Sequence, residues 1–410
     1  MARDLLDGGA IAQTTAELVR VRSVTGGERA ALERLGELAE ALGLQARLHV
    51  HDLAALRADP GHPGEEAPRD ELLGLTIPAG AGPRRLALCG HVDVVAEGSE
   101  PWARGDAYSG AIDGGYVHGR GSVDMKGGVA AALHALAAAG PRAGCEVVLH
   151  AVASEEDGGL GAFAALRADA RYDACVIPEP TGFDVVCAQA GALTFTGVVH
   201  GRGAHAAERL HGVSAIDRYV PVHGALAALE ARLNADVQHP LMRELALPYP
   251  LVVGRVAAGA WSSSVPDRLA FEGRAPVRVG VDVADARAAV EACVAAAAPD
   301  DGLGVELAWT GGMFASAQTP PDGPLATLVR RATSAQLGRE ARVAGVPWGA
   351  DMRLWCAAGV PTVMVGTRGI ELAHAVDERV AVDDLATVAR ILAAVIDGFG
   401  AQARAVSARP

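Results

Sequence analysis

Continuous apolar runs and stretches of helical period take turns along most of this chain. The runs at Arg85 to Leu88, Cys145 to Ala153 and Ala174 to Ile177 are short and dominated by Leu, Val, Ile, Ala and Cys, as strands buried on both faces are. Around them, Ile11 to Arg20, Glu28 to Leu42, Val129 to Ala139, Gly323 to Gln336 and Val382 to Phe399 carry the pattern of helices. Weaker strand signals fall near Gln45 to Val50, Glu71 to Thr76 and Pro361 to Val365. Residues 58–71 combine Pro, Gly and charge and read as a surface loop, and those after Ala401 as a frayed tail. Strands alternating with helices predict an α/β fold whose sheet is mostly parallel and flanked by helices.

The rhythm changes near Leu193. An alternating strand from Leu193 to His200 leads to Gly201-Arg202-Gly203-Ala204-His205 and a helix from Ser214 to Asn234. Strands at Leu251 to Ala257 and Arg268 to Gly273, a helix at Asp285 to Ala298 and a strand at Gly304 to Trp309 complete a β-α-β-β-α-β unit, the ferredoxin-like α+β arrangement. These elements predict a domain at 190–306 inserted into a first domain made of 1–189 and 307–410. Gly191 and the pair Gly311-Gly312 sit near the crossings, where a hinge would need freedom.

Composition narrows the setting. The 410 residues suffice for two domains, and no apolar run approaches the roughly 18 residues of a membrane span. Charged residues at Arg3, Asp4 and Asp7 argue against a signal peptide, and a cytoplasmic protein is expected. Six scattered cysteines without a C-x-x-C pair suit reduced thiols. A net charge of -13 with no basic stripe argues against nucleic-acid and anionic-membrane partners and leaves a small molecule. Among the 36 basic residues the single lysine is Lys126, in Asp124-Met125-Lys126-Gly127-Gly128. A compact ammonium retained where Arg is otherwise used suggests a tightly packed position beside Asp124.

The strands end in polar residues able to hold a cation. His91-x-Asp93 follows one run, Glu155-Glu156-Asp157 and glycines follow the next, and Glu179-Pro180-Thr181 the third. Open α/β sheets place ligands at such ends. An imidazole with carboxylates suits zinc, cobalt or manganese, and an Asp can bridge two ions with its two oxygens. On an extended strand Glu155 and Glu156 would face opposite ways, so a turn is needed to aim both into one cleft.

Together with Gly121-x-x-Asp124-Met125-Lys126-Gly127-Gly128 and His374-x-x-Asp377-Glu378, these motifs give the chain an order and spacing that resemble the M20 metallopeptidase family. That family includes acetylornithine deacetylases, succinyl-diaminopimelate desuccinylases, aminoacylases and carboxypeptidase G-type enzymes. The resemblance implies two divalent ions, zinc first with cobalt or manganese as alternatives. His91 and Glu179 would hold one ion, Glu156 and His374 the other, and Asp124 would bridge them. Asp93 would accept the remaining ring N–H of His91, and Glu155 would be the general base for a metal-activated water. His205 would reach the tetrahedral oxyanion from the inserted lid and dimerisation domain, and Arg274 would hold a substrate carboxylate. A homodimer through the inserted domain, closing over a small carboxylate-bearing substrate, is expected.

The chain departs from many relatives in the lid, with Arg209 in place of a Pro and Ser263 in place of an Asn, and its segment before His374 reads Gly366-Thr367-Arg368-Gly369-Ile370. Ser263 and Arg274 therefore stand as substrate-reading positions. The expected reaction is removal of an acyl group from a small N-acyl amino acid or related amine. A dipeptidase or carboxypeptidase on the same centre, hydrolysis of a non-peptide C–N bond, and a non-catalytic metal-binding relic are the alternatives.

Overall fold

The three apolar runs become adjacent parallel strands at the centre of one sheet. The computed structural model describes residues 5–140 and 144–407. In chain order the elements are α1 (Gly8–Val19), α2 (Arg29–Ala41), β1 (Arg47–Val50), α3 (Leu53–Ala58), β2 (Leu73–Gly80), β3 (Arg85–His91), β4 (Ala111–Asp113) and β5 (Tyr116–His118). Next come α4 (Gly127–Ala139), β6 (Glu146–Val152), α5 (Leu160–Ala168), β7 (Ala174–Ile177), β8 (Val185–Gln189), β9 (Gly191–His200), β10 (Ala204–His205), α6 (Ala215–Ala235), β11 (Val252–Ala258) and β12 (Ser264–Val265). The chain continues through β13 (Arg268–Val277), α7 (Val283–Ala297), β14 (Val305–Phe314), β15 (Ala317–Gln318), α8 (Pro324–Leu337), β16 (Val343–Val346), α9 (Met352–Ala357), β17 (Thr362–Met364), β18 (Arg379–Ala381) and α10 (Val382–Ser407).

Two compact units result, Met1–Cys187 with Gln318–Ala344 and Ala350–Pro410, and Ala188–Ala317 with Gly345–Gly349. The large sheet runs β1-β2-β6-β3-β7-β17-β8-β15, with β16 also on β8. Its middle strands β6, β3, β7 and β17 are parallel, while β1 and β2 add an antiparallel edge. Register pairs His91 with Val152, so β3 and β6 end level and discharge their following residues at one edge of the sheet. Helix α4 is apolar nearly all round and correspondingly buried, packed against α1 and α10.

In the second unit the order β-α-β-β-α-β appears with β11-β13-β9-β14 as its antiparallel sheet. Phe195, Val199, Val222, Leu226, Phe271, Val290 and Val294 fill the space between sheet and helices. The break between units falls at 317 rather than 306, because β14 runs on to Phe314 through a bulge between Thr310 and Met313. Gly191 is not a hinge: it lies in β9 opposite Val277, and a Cβ there would sit 2.1 Å from the Phe314 carbonyl oxygen. The glycine serves close backbone packing.

Other differences have simple causes. Strand β2 begins at Leu73 and continues through Pro78, because β6 extends the ladder as far as Gly80. Helix α10 continues to Ser407 where a frayed tail was expected. The strands β4, β5 and β18 form a small sheet of three-residue pieces too short to announce themselves. The loop at 58–71 is not wholly superficial, since the side chain of Arg69 is completely buried.

Candidate metal centre

Strand β3 ends at His91 and delivers Asp93 two residues on. Both side chains are buried. Nδ1 of His91 donates to the carbonyl oxygen of Asp93 at 2.9 Å, which fixes the tautomer and turns Nε2 outward. The expected partner was the Asp93 carboxylate, which lies farther away at 3.6 Å. That carboxylate has a different task. Its two oxygens accept the backbone N–H groups of Glu155 and Glu156, each at 3.1 Å, and one also accepts the Thr25 hydroxyl.

Asp93 thus caps the turn that follows β6. Ser154 opens this turn with φ of +67°, a left-handed conformation that sends Glu155 and Glu156 to the same side. Arg69 reaches the turn from the 58–71 loop, donating to the Ser154 hydroxyl at 2.9 Å and pairing with Asp157 and Glu28. The turn is held from two directions by buried groups of opposite charge.

Asp124 arrives on an irregular turn before α4, with φ of -122° and ψ of 98°. The two glycines after Lys126 have a steric reason: a Cβ at Gly128 would come within 2.2 Å of the Pro178 carbonyl, so glycine lets the Glu179 segment approach. Lys126 is fully buried, donates from Nζ to the carbonyls of Leu18 and Val21 at the end of α1, and is pushed down to about 7 by burial. A small cation at helix-terminal carbonyls is favourable.

His374 lies in a tight segment in which it and Asp377 both have positive φ, at +63° and +58°. One side chain gathers this segment and the Asp124 turn. The Glu378 carboxylate accepts from the backbone N–H groups of Gly121, Val123 and Asp124 and from the guanidinium of Arg120 at 2.8 Å. Arg120 in turn donates to the carbonyls of His374 and Ala375, each at 3.1 Å. In the sequence Glu378 stood only as part of a motif and Arg120 carried no signal.

These supports assemble the cluster. Nε2 of His91 is 3.1 Å from one oxygen of Asp124 and 3.9 Å from Glu179, and Nε2 of His374 is 3.5 Å from the other oxygen of Asp124 and 3.1 Å from Glu156. Ligand atoms of His91, Asp124 and Glu156 lie within 4.8 Å of one another. Burial raises the Glu179 and Glu155 carboxyls well above their ordinary range, and Glu156 less far. Burial would lower His91, but Asp124 and the neighbouring acids raise it, and hydrogen bonds to Asp124 and Glu156 push His374 up to about 10. Burial opposes ionisation of Asp124 as well, yet the two imidazoles hold its carboxyl below the usual carboxylate range. Nε2 of each imidazole faces carboxylate oxygens, so either a proton or a cation must lie between them. The oxygen and nitrogen donors, with more carboxylates than imidazoles, fit hard or borderline divalent ions.

Asp351, two residues before Arg353 at the start of α9, is a further buried acid beside the cluster, raised to about 6 by burial, then lowered in part by Arg353. Arg353 donates to the Gly158 carbonyl at 2.6 Å and ties α9 to the glutamate turn.

Three positions lie in the second unit. His205 is exposed on β10, pairs with Ser264 of β12, and accepts the Ala207 N–H on Nδ1. The Ser263 carbonyl accepts from Ala206, which places Ser263 beside His205. Arg274 is exposed on β13 with its guanidinium 5.6 Å from the Phe314 ring centre.

Residues 87–398 match the model of peptidase family M20/M25/M40, and the chain belongs to that family. It is a hydrolase of amide bonds. A succinyl-diaminopimelate desuccinylase of Methylobacterium nodulans is 30% identical over 402 residues, covering 94% of this chain and 95% of the relative. A metallo-carboxypeptidase of the family from Sulfolobus solfataricus superposes with a TM-score of 0.75 at 15% identity, covering 95% of this chain and 99% of the other. A dinuclear metal-binding peptidase of Bacillus subtilis gives 0.62 at 15% identity, covering 96% and 98%. Dinuclear metal binding is a property of the family, and the present cluster contains a group able to hold metal.

Proposed function

We propose that this chain removes an acyl group from a small N-acyl amino acid or related carboxylate-bearing amine, using two divalent ions, zinc first among them. The observation that carries the proposal is the Asp124 carboxylate, whose two oxygens face His91 and His374 separately, each imidazole with a glutamate of its own. His91, Asp124 and Glu179 would hold one ion, and Asp124, Glu156 and His374 the other. Such ions supply Lewis acidity, acidifying water and polarising a carbonyl.

The remaining steps belong to the chain's own groups. Glu155, buried and locked by the Asp93 contact to its backbone N–H, takes a proton from the attacking water and returns it to the departing amine. A carboxyl raised by burial suits both halves of that transfer. His205 donates to the oxyanion, and Arg274 receives the substrate carboxylate. Arg274 has no carboxylate partner among the described residues, which supports that role. The full-length similarity to a desuccinylase favours an acyl group over a peptide; peptidase action on the same centre is the second reading, favoured by the fold shared with the carboxypeptidase.

Two copies would associate through the second unit, where edge strand β11 exposes Val252 and Val256 at 55% and 52%. A reducing cytoplasm suits the six free cysteines. No described helix is long and apolar enough to cross a membrane.

Protein stripped with chelator and reloaded with zinc, cobalt or manganese is tested on N-acetyl, N-succinyl and N-formyl amino acids and on dipeptides. Two ions per chain, turnover of one acyl class and a loss of about 10²–10⁴ in kcat for Glu155→Gln with both ions retained are expected. Turnover of dipeptides alone would favour the second reading, and failure to bind metal would overturn both.

A further inference from the structure

Ser154 holds a backbone conformation that serine rarely adopts. Its φ of +67° lies in the left-handed region, which persists for such a residue only when the surroundings over-determine it. On relaxed extended backbone the two residues that follow, Glu155 and Glu156, would face opposite sides. Whatever keeps Ser154 left-handed keeps the two glutamates aligned.

A closed ring of contacts does so. The Asp93 carboxylate accepts the N–H groups of Glu155 and Glu156 and, through Oδ2, the Thr25 hydroxyl. One residue on, the Gly26 N–H donates to Oε1 of Glu28 at 2.7 Å, and the same oxygen accepts from Nη1 of Arg69 at 3.3 Å. Nη2 of Arg69 closes the ring at 2.9 Å on the Ser154 hydroxyl, which itself donates to Asp157. The N–H groups of Glu66 and Ala67 also donate to Asp157, at 3.1 and 2.8 Å, so the segment carrying Arg69 is fastened to the same turn.

Arg69 joins the two halves of the ring. Its side chain is fully buried and its guanidinium faces the carboxylates of Glu28, Glu65 and Asp157. Buried ion pairs add little stability over packed apolar side chains, which leaves geometry as the contribution of this one. An ammonium could not replace it, because different nitrogens of one planar fork hold the two sides.

We infer, on the reading above that Glu155 is the base, that Arg69 is its positioning residue: by keeping Ser154 left-handed it holds the Glu155 carboxylate on the same side as Glu156.

Two variants and two measurements test this. Arg69→Lys keeps the charge and gives up the fork, and Arg69→Met removes both; the lysine form carries the test where the methionine form does not fold. Amide exchange, read by NMR of the full chain with zinc in excess, reports the turn without substrate. In Arg69→Lys, exchange at Glu155 and Glu156 should quicken about ten-fold or more beyond any change at Val148 and Leu149 of β6. On the acyl compound that wild type turns over, kcat should fall about 10–100-fold with KM unchanged. Arg167→Gln, which breaks an exposed pair with Asp59 in the same loop, should move neither reading. No change at the two glutamate amides, or an equal change at all four, would overturn the hold of Arg69 on the turn. Quickened exchange with a wild-type kcat would overturn the positioning role. If wild type turns over no compound of the panel, the proposed reaction falls, and the exchange result alone sustains or removes the hold of Arg69 on Ser154.

Discussion

His150 carries a consequence for stability that follows from its protonation state. Burial first, and Arg85 next, push its imidazole from 6.5 down to about 3, with His49 adding to the effect and Asp169 opposing it. Because the folded value lies below the unfolded one, the unfolded chain binds the extra proton between them. The stabilisation is complete above the unfolded value and is lost as pH falls towards the folded one. Between pH 7.5 and 5.0 the wild type should lose about 2 kcal/mol more than His150→Gln does. Denaturant unfolding at the two pH values measures this, and equal losses would count against a neutral buried ring. At this scale the side chains that the structure gathers into the candidate cluster were legible, because imidazoles and carboxylates at strand ends advertise their chemistry. The task of Asp93 was not. Which of its oxygens meets His91 depends on the path of the chain after the strand, and no residue type encodes that path.

Two turns and one short segment, rather than whole helices, set the geometry of the cluster. The Asp124 turn and the His374 segment share the buried pair Arg120 and Glu378, which accepts or donates at backbone groups of both. Glu378→Gln leaves the Arg120 guanidinium without its counter-charge, and a stability loss of roughly 3–5 kcal/mol is expected. Adding Arg120→Met should restore part of that stability without restoring metal content, because the backbone tie is still missing. Unfolding curves and metal analysis read the two effects separately; two ions retained in Glu378→Gln would contradict the tie. Such supports leave little trace in the residue pattern. Arg69 lies among Pro, Gly and charge that resemble any solvated loop, yet it is buried against the glutamate turn. Periodicity marks the elements themselves, so the main strands and helices emerged with small shifts at their ends, while three-residue strands escaped it.

For the whole molecule, the inserted unit was visible as a change of rhythm, from buried parallel runs to alternating antiparallel strands. Its far boundary was not, since β14 continues past the point where alternation fades. An exposed edge strand bearing two valines is a template for pairing. Light scattering should give twice the chain mass at micromolar concentration, and Val256→Lys should reduce it to one chain. A wild type that stays monomeric would remove the dimer.

The packing of Lys126 has a practical corollary. The only ε-amine in the chain is enclosed beneath the end of α1, next to the Asp124 turn. Amine-directed reagents can reach that side chain only when this corner opens. The protein carries an internal label-acceptor, and the rate at which that site is modified clocks the loosening of the end of α1 from the Asp124 turn.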